Sequence, residues 1–281
     1  AFGYLAGAAN TTGTGNAFFG YASGGACTTG ARNTALGSAA NAGTTGNDNT
    51  SVGANAGYAI STGVRNVAIG AYAMDIMTTG DENTCVGYIA GSALTTGSYN
   101  TAVGVGALYT QTTGNANTAL GYKALENNST GTFNTAVGTD ALQGNTTGQR
   151  NTAVGYEALG DSNTTGNYNT AVGNRALRKN NGSYNTAMGD YALDQCTTGQ
   201  QNTAVGAGGP LGSLTTGEFN TAVGSAAMDA VTTGSSNVGV GVHALSTITD
   251  AGGNTAIGYQ SCNVTTSSHN TAVGYQTLLV N

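Results

Sequence analysis

The sequence predicts an all-β protein, a parallel β-solenoid (β-roll) of about sixteen coils built on one 17-residue unit. Three observations carry this. The phrase Asn-Thr-Ala-Val-Gly recurs along the whole chain. Its spacing is nearly constant, with ten of fifteen intervals at 17 residues and the others at 16 or 18. Composition is also far from that of an ordinary globule: 7% of the 281 residues are charged and 47 are glycine, with one proline and no tryptophan, whereas soluble domains carry roughly 25% charge.

The unit reads N-T-A-V-G-Y-x-A-L-x-x-x-T-T-G-x-x, and the segment from Asn151 to Leu159 is a clean copy. The anchor is the asparagine: Asn100, Asn117, Asn134, Asn151, Asn169, Asn185 and Asn202 are seven of its sixteen occurrences. In parallel stacked coils identical residues lie above one another, so these amides are expected to form a hydrogen-bonded ladder. Thr-Ala-Val is short, partly β-branched and suits a strand. Two glycine-marked reversals per unit leave no room for a helix of ordinary length. The expectation is two short strands per coil and a rise of ~4.8 Å, hence a rod of about 75–80 Å.

The valine that follows, in the column Val103, Val137, Val154, Val172, Val205 and Val223, is replaced elsewhere by Leu36, Ile69, Met188 and Ile257. Swaps of similar bulk read as a packed site, so this column is expected to face inward as the core. The alanine column (Ala107, Ala124, Ala141, Ala158) needs almost no side chain, and the leucine column beside it (Leu108, Leu125, Leu142, Leu159) is a second core stripe or an interchain contact. Gly114, Gly148, Gly166 and Gly199 stand where a turn would need positive φ. The segment from Asn202 to Phe219 has 18 residues and the only proline, so Pro210 is expected in an outward bulge or at an edge.

The chemistry of catalysis is missing from the pattern. His243 and His269 fall in different coils at unlike positions, and Cys27, Cys85, Cys196 and Cys262 are too far apart in a stack to pair or to hold a metal. Acidic residues such as Glu126, Asp140, Glu157, Asp161, Asp190 and Asp194 occupy the variable, solvent-facing slots. The chain is therefore not expected to be an enzyme, and no catalytic residue, cofactor or metal ligand is assigned. The largest basic group is Arg175, Arg178 and Lys179, which supports no nucleic-acid stripe. No apolar run is long enough to span a bilayer.

With Asn-Thr-Ala-Val-Gly-x-x-Ala-Leu and Thr-Thr-Gly repeated throughout, the chain resembles the repeat shafts of phage tail fibres and bacterial surface fibres. Those shafts are related to the β-roll heads of trimeric autotransporter adhesins, whose unit is shorter. The resemblance implies a homotrimer of solenoids side by side, in an extracellular structural and adhesive fibre on a cell or virion surface. Its partners would be further copies of itself, in a trimer or an end-to-end filament, and a surface glycan. Tyr99, Phe133, Tyr168, Tyr184 and Phe219, before the anchor, and Tyr122, Tyr156, Tyr259 and Tyr275, after the glycine, could stack on sugar rings or cover neighbouring coils. The alternative is an ice-binding solenoid using Thr-Thr columns that include Thr78, Thr95, Thr112 and Thr197. The register at both termini, in mid-unit at Ala1 and again near Asn281, reads as one continuous repeat domain over 1–281 with both ends open.

Overall fold

The computed structural model describes residues 1–263 and 267–278. It is an all-β parallel solenoid of about sixteen coils, and no helix occurs among the described residues. Each coil contributes one three-residue strand, from β1 (Ala17–Phe19) through β8 (Thr135–Val137) and β9 (Thr152–Val154) to β16 (Thr271–Val273). Backbone contacts group the chain into two compact units, Ala1–Asp140 and Ala141–Asn281. Within the first, successive strands pair in parallel and in register, as in Thr101↔Thr118, Ala102↔Ala119 and Val103↔Leu120. The second does the same, as in Thr170↔Thr186, Ala171↔Ala187 and Val172↔Met188. The chain end at 279–281, where an open terminus was expected, lies outside the described residues.

The second strand expected in each coil is absent among the described residues. In its place the chain turns through left-handed residues, for example Glu157 (φ 51°), Leu159 (φ 51°) and Tyr168 (φ 56°). Non-glycine residues there cost about 1–3 kcal/mol each. Coil-to-coil bonding offsets this, because the turn amides still point along the stack. Leu159 N–H donates to Ala176 C=O of the following coil (3.0 Å), and Arg175 N–H donates back to Tyr156 C=O (2.9 Å). A ladder can thus be kept without extended backbone, so a regular second strand is unnecessary.

The inside of the coil also differs from expectation. Valines 103, 137, 154, 172, 205 and 223 point outward and are half-buried or exposed, with Val154 37% exposed. The alanine between Thr and Val is the inward residue; Ala102, Ala136, Ala153 and Ala171 are fully buried. Alternation along a strand allows only one face to be inside, and volume decides which. The buried leucine column (Leu108, Leu125, Leu142, Leu159) already fills the space opposite. Where the strand residue is larger the leucine slot shrinks: Phe18 is matched by Gly24, and Cys85 by Gly91, where an added Cβ would stand 2.6 Å from the Phe18 ring and from Cys85 Sγ respectively. The reverse holds at Gly239, where a Cβ would meet Met228 Cγ at 2.7 Å. Total interior volume is conserved, and valine at the strand centre opposite leucine would overfill it.

The Thr-Thr-Gly glycines are used differently from the expectation as well. Gly114, Gly148, Gly166 and Gly199 do not have positive φ. A side chain is excluded there because the next coil presses on the backbone, as at Gly199, where a Cβ would lie 2.5 Å from Gly217 C=O. Pro210 is buried, contrary to the outward bulge expected of it. It takes the place of the second alanine, accepting Leu193 N–H at its carbonyl (3.1 Å) as Ala192 accepts Leu177 N–H (2.9 Å). The alanine N–H at that slot makes only a long turn bond, 3.5 Å for Ala192 to Gly189 C=O, so proline loses little. The extra residue is absorbed outside, at Gly208 (φ 69°) and Gly209 (φ 67°).

Candidate recognition surface

The anchor asparagines organise the surface by closing each coil. Asn100, Asn117, Asn134, Asn151, Asn169, Asn185 and Asn202 are all buried. Asn100 Nδ2 donates to Gly114 C=O of its own coil (2.9 Å) and to Asn83 Oδ1 of the coil before (3.1 Å). Asn117 N–H donates to Asn100 Oδ1 (3.0 Å). In the second unit Asn169, Asn185 and Asn202 repeat the pattern, with Asn202 Nδ2 reaching Asn185 Oδ1 (3.2 Å) and Gly217 C=O (2.9 Å). Asn134 N–H donates to Asn117 Oδ1 (2.9 Å), and Asn151 Nδ2 to Gly166 C=O (2.8 Å). One side chain therefore ties residue to coil and coil to coil, which leaves the anchors no part in the exposed surface.

Three outward faces result. On the strand face, Thr and Val columns stand side by side without a single charged residue in any strand. At the corner before the anchor, charged residues of adjacent coils pair, as Arg32 with Asp48 (2.5 Å) and Arg65 with Glu82 (2.7 Å). At the equivalent positions of the second unit Tyr168 and Tyr184 stack at 5.0 Å and 5°, and Arg150 lies over the Tyr168 ring at 5.3 Å. Tyr259 and Tyr275 stack at 5.3 Å on the wide-turn face. Tyr99, Phe133 and Phe219 are exposed.

The wide turn after the strand is the third face, and its character changes along the chain. In the second unit it carries a dense polar network. Arg175 Nε meets Glu157 Oε2 (2.7 Å), its Nη1 donates to Tyr191 OH (3.2 Å), and its guanidinium lies 5.7 Å from the rings of both Tyr156 and Tyr191. Arg178 bridges Asp194 (2.8 Å) and Asp161 (3.6 Å), and Lys179 Nζ donates to Gln195 Oε1 (2.8 Å). Burial pushes the Glu157 carboxyl up, but the Tyr156 hydroxyl and Arg175 guanidinium outweigh it and hold it below the usual carboxylate range. Asp194, expected in solvent, is buried against Arg178. The two arginines of the basic group are thus committed to carboxylates, and Lys179 to the Gln195 amide.

The Thr-Thr columns are not equivalent. The first threonine spends its hydroxyl hydrogen on the next coil: Thr78 Oγ1 donates to Thr95 C=O (3.1 Å), Thr95 to Thr112 C=O (3.0 Å) and Thr197 to Thr215 C=O (3.0 Å). The second threonine, such as Thr79 or Thr96, is exposed. The four thiols are free and buried, and burial pushes Cys85 and Cys196 up to about 12. No group of three His, Cys, Asp or Glu side chains able to hold a metal occurs among the described residues.

Sequence reasoning missed an opening on the wide-turn face of the first unit. A groove of about 640 Å³ runs between Leu5 and Ala59, walled by Tyr21 and Tyr58, and a neighbouring cavity of about 420 Å³ adds Asn55, Tyr72 and Asp75. The signal was in the variable slots: Ala22, Gly25, Ala39 and Ala42 stand where later coils carry Lys123, Glu126, Arg175 and Arg178.

No family model matches this chain, and neither the curated proteins nor the solved structures contain a match to it.

Proposed function

We propose that the chain is a segment of an extracellular structural and adhesive fibre, on a cell or virion surface, in which copies lie side by side as a homotrimer. The observation that carries this reading is the outer valine column. Half-exposed or exposed apolar side chains recur in every coil, among them Leu36, Leu120, Met188 and Ile257. A contiguous apolar stripe of this kind marks an association surface. The homotrimer that the Asn-Thr-Ala-Val-Gly repeats imply by resemblance would cover it.

Sedimentation equilibrium and negative-stain images test the assembly. Three solenoids in section are expected, and the double variant Val154→Asp with Val172→Asp should fall apart to folded monomers. A wild-type chain that is monomeric at micromolar concentration overturns the trimer.

A second reading, ice binding, draws support from the strand face rather than from the Thr-Thr turns. There Thr101, Thr118 and Thr135 form a column in register beside the valines, at the ~4.8 Å repeat of paired strands. Thermal hysteresis in dilute solution would establish it, and its absence leaves the fibre reading alone.

A further inference from the structure

We propose that the wide-turn groove of the first unit is a binding site for a neutral oligosaccharide. The proposal rests on the adhesive reading and gives it a place and a ligand class.

The two cavities share Ala39 and Tyr58, so they adjoin. Volumes of about 640 and 420 Å³ fall within the range of small-ligand sites, which bury most of a ligand against apolar walls with a few placed polar groups. Their floor is backbone, alanine and glycine, including Gly25, Ala39 and Gly43, which lets a bulky, flat ligand come close to the coil. Tyr21, Tyr58 and Tyr72 rise from different coils as the walls and are half-exposed. Tyr72 is braced edge-on by Tyr88 at 6.4 Å. Aromatic rings beside hydrogen-bonding groups suit a sugar, whose C–H face is apolar and whose rim is hydroxyl. The hydrogen-bonding groups are at one end: the Asn55 amide and the Asp75 carboxylate, the latter held by Ser92.

Charge selects within the carbohydrates. No lysine or arginine lines either cavity, and the single charged lining group is Asp75. A sialylated or uronic-acid chain would bring its carboxylate to a site with no cation to receive it, and a carboxylate to repel it. An uncharged chain loses nothing there. Other coils make the contrast, since Lys123 with Glu126, Arg175 with Glu157 and Arg178 with Asp194 fill the equivalent slots with charged side chains that pair with one another. The groove is a stretch of the wide-turn face with no ion pair across it.

The experiment is titration calorimetry of the whole chain with maltotetraose, cellotetraose and galactotetraose at millimolar concentration, with 3′-sialyllactose as the charged comparison. Two variants accompany it. Tyr58→Ala removes the ring common to both cavities. Ala39→Gln fills the floor with a side chain that the same slot already carries at Gln260 (φ 49°) and Gln276 (φ 52°), so it preserves the fold. Binding of at least one neutral tetrasaccharide is expected, weakened about tenfold or more by each variant, which corresponds to ~1.4 kcal/mol, with unchanged melting for Ala39→Gln. Failure of every neutral probe to bind overturns the proposal. So does binding that both variants leave intact, although the adhesive reading would then survive with its site elsewhere. Preference for 3′-sialyllactose would overturn the ligand class.

Discussion

Two buried columns run inside this solenoid, and they obey different rules. The anchor column is asparagine in every coil. The column just before Thr-Thr, by contrast, changes from Ile60, Met77 and Leu94 to Gln111 and Asn128 in the first unit. In the second unit it changes back from Asn145, Asn163 and Asn180 to Cys196, Leu214 and Val231. Away from the terminal coils both columns are fully buried, from Asn33 to Asn254 and from Cys27 to Ile248. The difference lies in what each leaves behind when its polar atoms are removed. The anchor side chain is the acceptor for the next coil's N–H and the donor to its own turn-glycine carbonyl. The other column adds a second donor to that same carbonyl: Gln111 Nε2 reaches Gly114 C=O at 2.7 Å, and Asn180 Nδ2 reaches Gly182 C=O at 2.9 Å, with Asn180 Oδ1 also taking Gly182 N–H at 3.1 Å. A leucine there leaves that carbonyl still held by the anchor amide, as Gly114 C=O by Asn100 and Gly182 C=O by Asn169. Buried polarity is compulsory where it satisfies backbone and optional where it duplicates.

The strongest test removes an anchor. Asn185→Ala strands Asn202 N–H and leaves Gly199 C=O with only the weak Cys196 thiol at 3.6 Å. Orphaned buried groups cost about 1–3 kcal/mol each, so denaturant unfolding should show a loss of at least ~2 kcal/mol. A loss under 0.5 kcal/mol, the scale of about any neutral surface change, would abolish the distinction between the columns.

In the optional column, Asn163→Leu should change stability by less than about 1 kcal/mol, with a gain favoured. Asn163 Oδ1 is buried without a partner, and Leu214 shows that the slot accepts this volume. A loss as large as that of the anchor variant would mean this polarity is compulsory too.

Charge sharpens the same rule on the wide-turn face. Burial raises the Asp229 carboxyl, with His243 opposing, and one of its oxygens has no partner. A raised acid costs stability above its folded pKa, and that cost disappears as pH falls through it. Asp229→Asn is therefore expected to raise the melting temperature at pH 7 and to lose that advantage near pH 3. Glu157, held low, behaves oppositely: its stabilisation is present at neutral pH and is lost as pH falls through its folded pKa. A pH-independent effect of Asp229→Asn would remove electrostatics as its cause.

The smallest expected signal is chemical. Cys27 and Cys196 lie in the optional column, and their raised thiol pKa together with burial should leave them unreactive toward a disulfide reagent at pH 8 until the coils open. Stoichiometric labelling within seconds in the native protein would show that the column is accessible.

The unit length, the in-register parallel stacking of Thr-Ala-Val and the burial of the anchor amides were legible in the sequence, because each depends on identical residues meeting themselves one coil away; that a coil keeps one strand rather than two was not. Periodicity states that relation directly. Which side of Thr-Ala-Val faces inward was not legible, since alternation permits either face and apolarity favoured valine. Only the closed coil shows that leucine already occupies the opposite space, so that alanine fits and valine does not. The exchange of Phe18 with Gly24 and of Cys85 with Gly91 records the same volume limit, but the two partners sit six residues apart and become a pair only when the chain folds back. Turn conformation was hidden for a similar reason: residues as different as Arg175 and Leu159 adopt left-handed backbone because the stack bonds their amides, a preference that neither side chain carries. The groove belongs to this class as well. Small residues in variable slots are silent in a sequence, and they become an opening only when tyrosines from neighbouring coils stand around them.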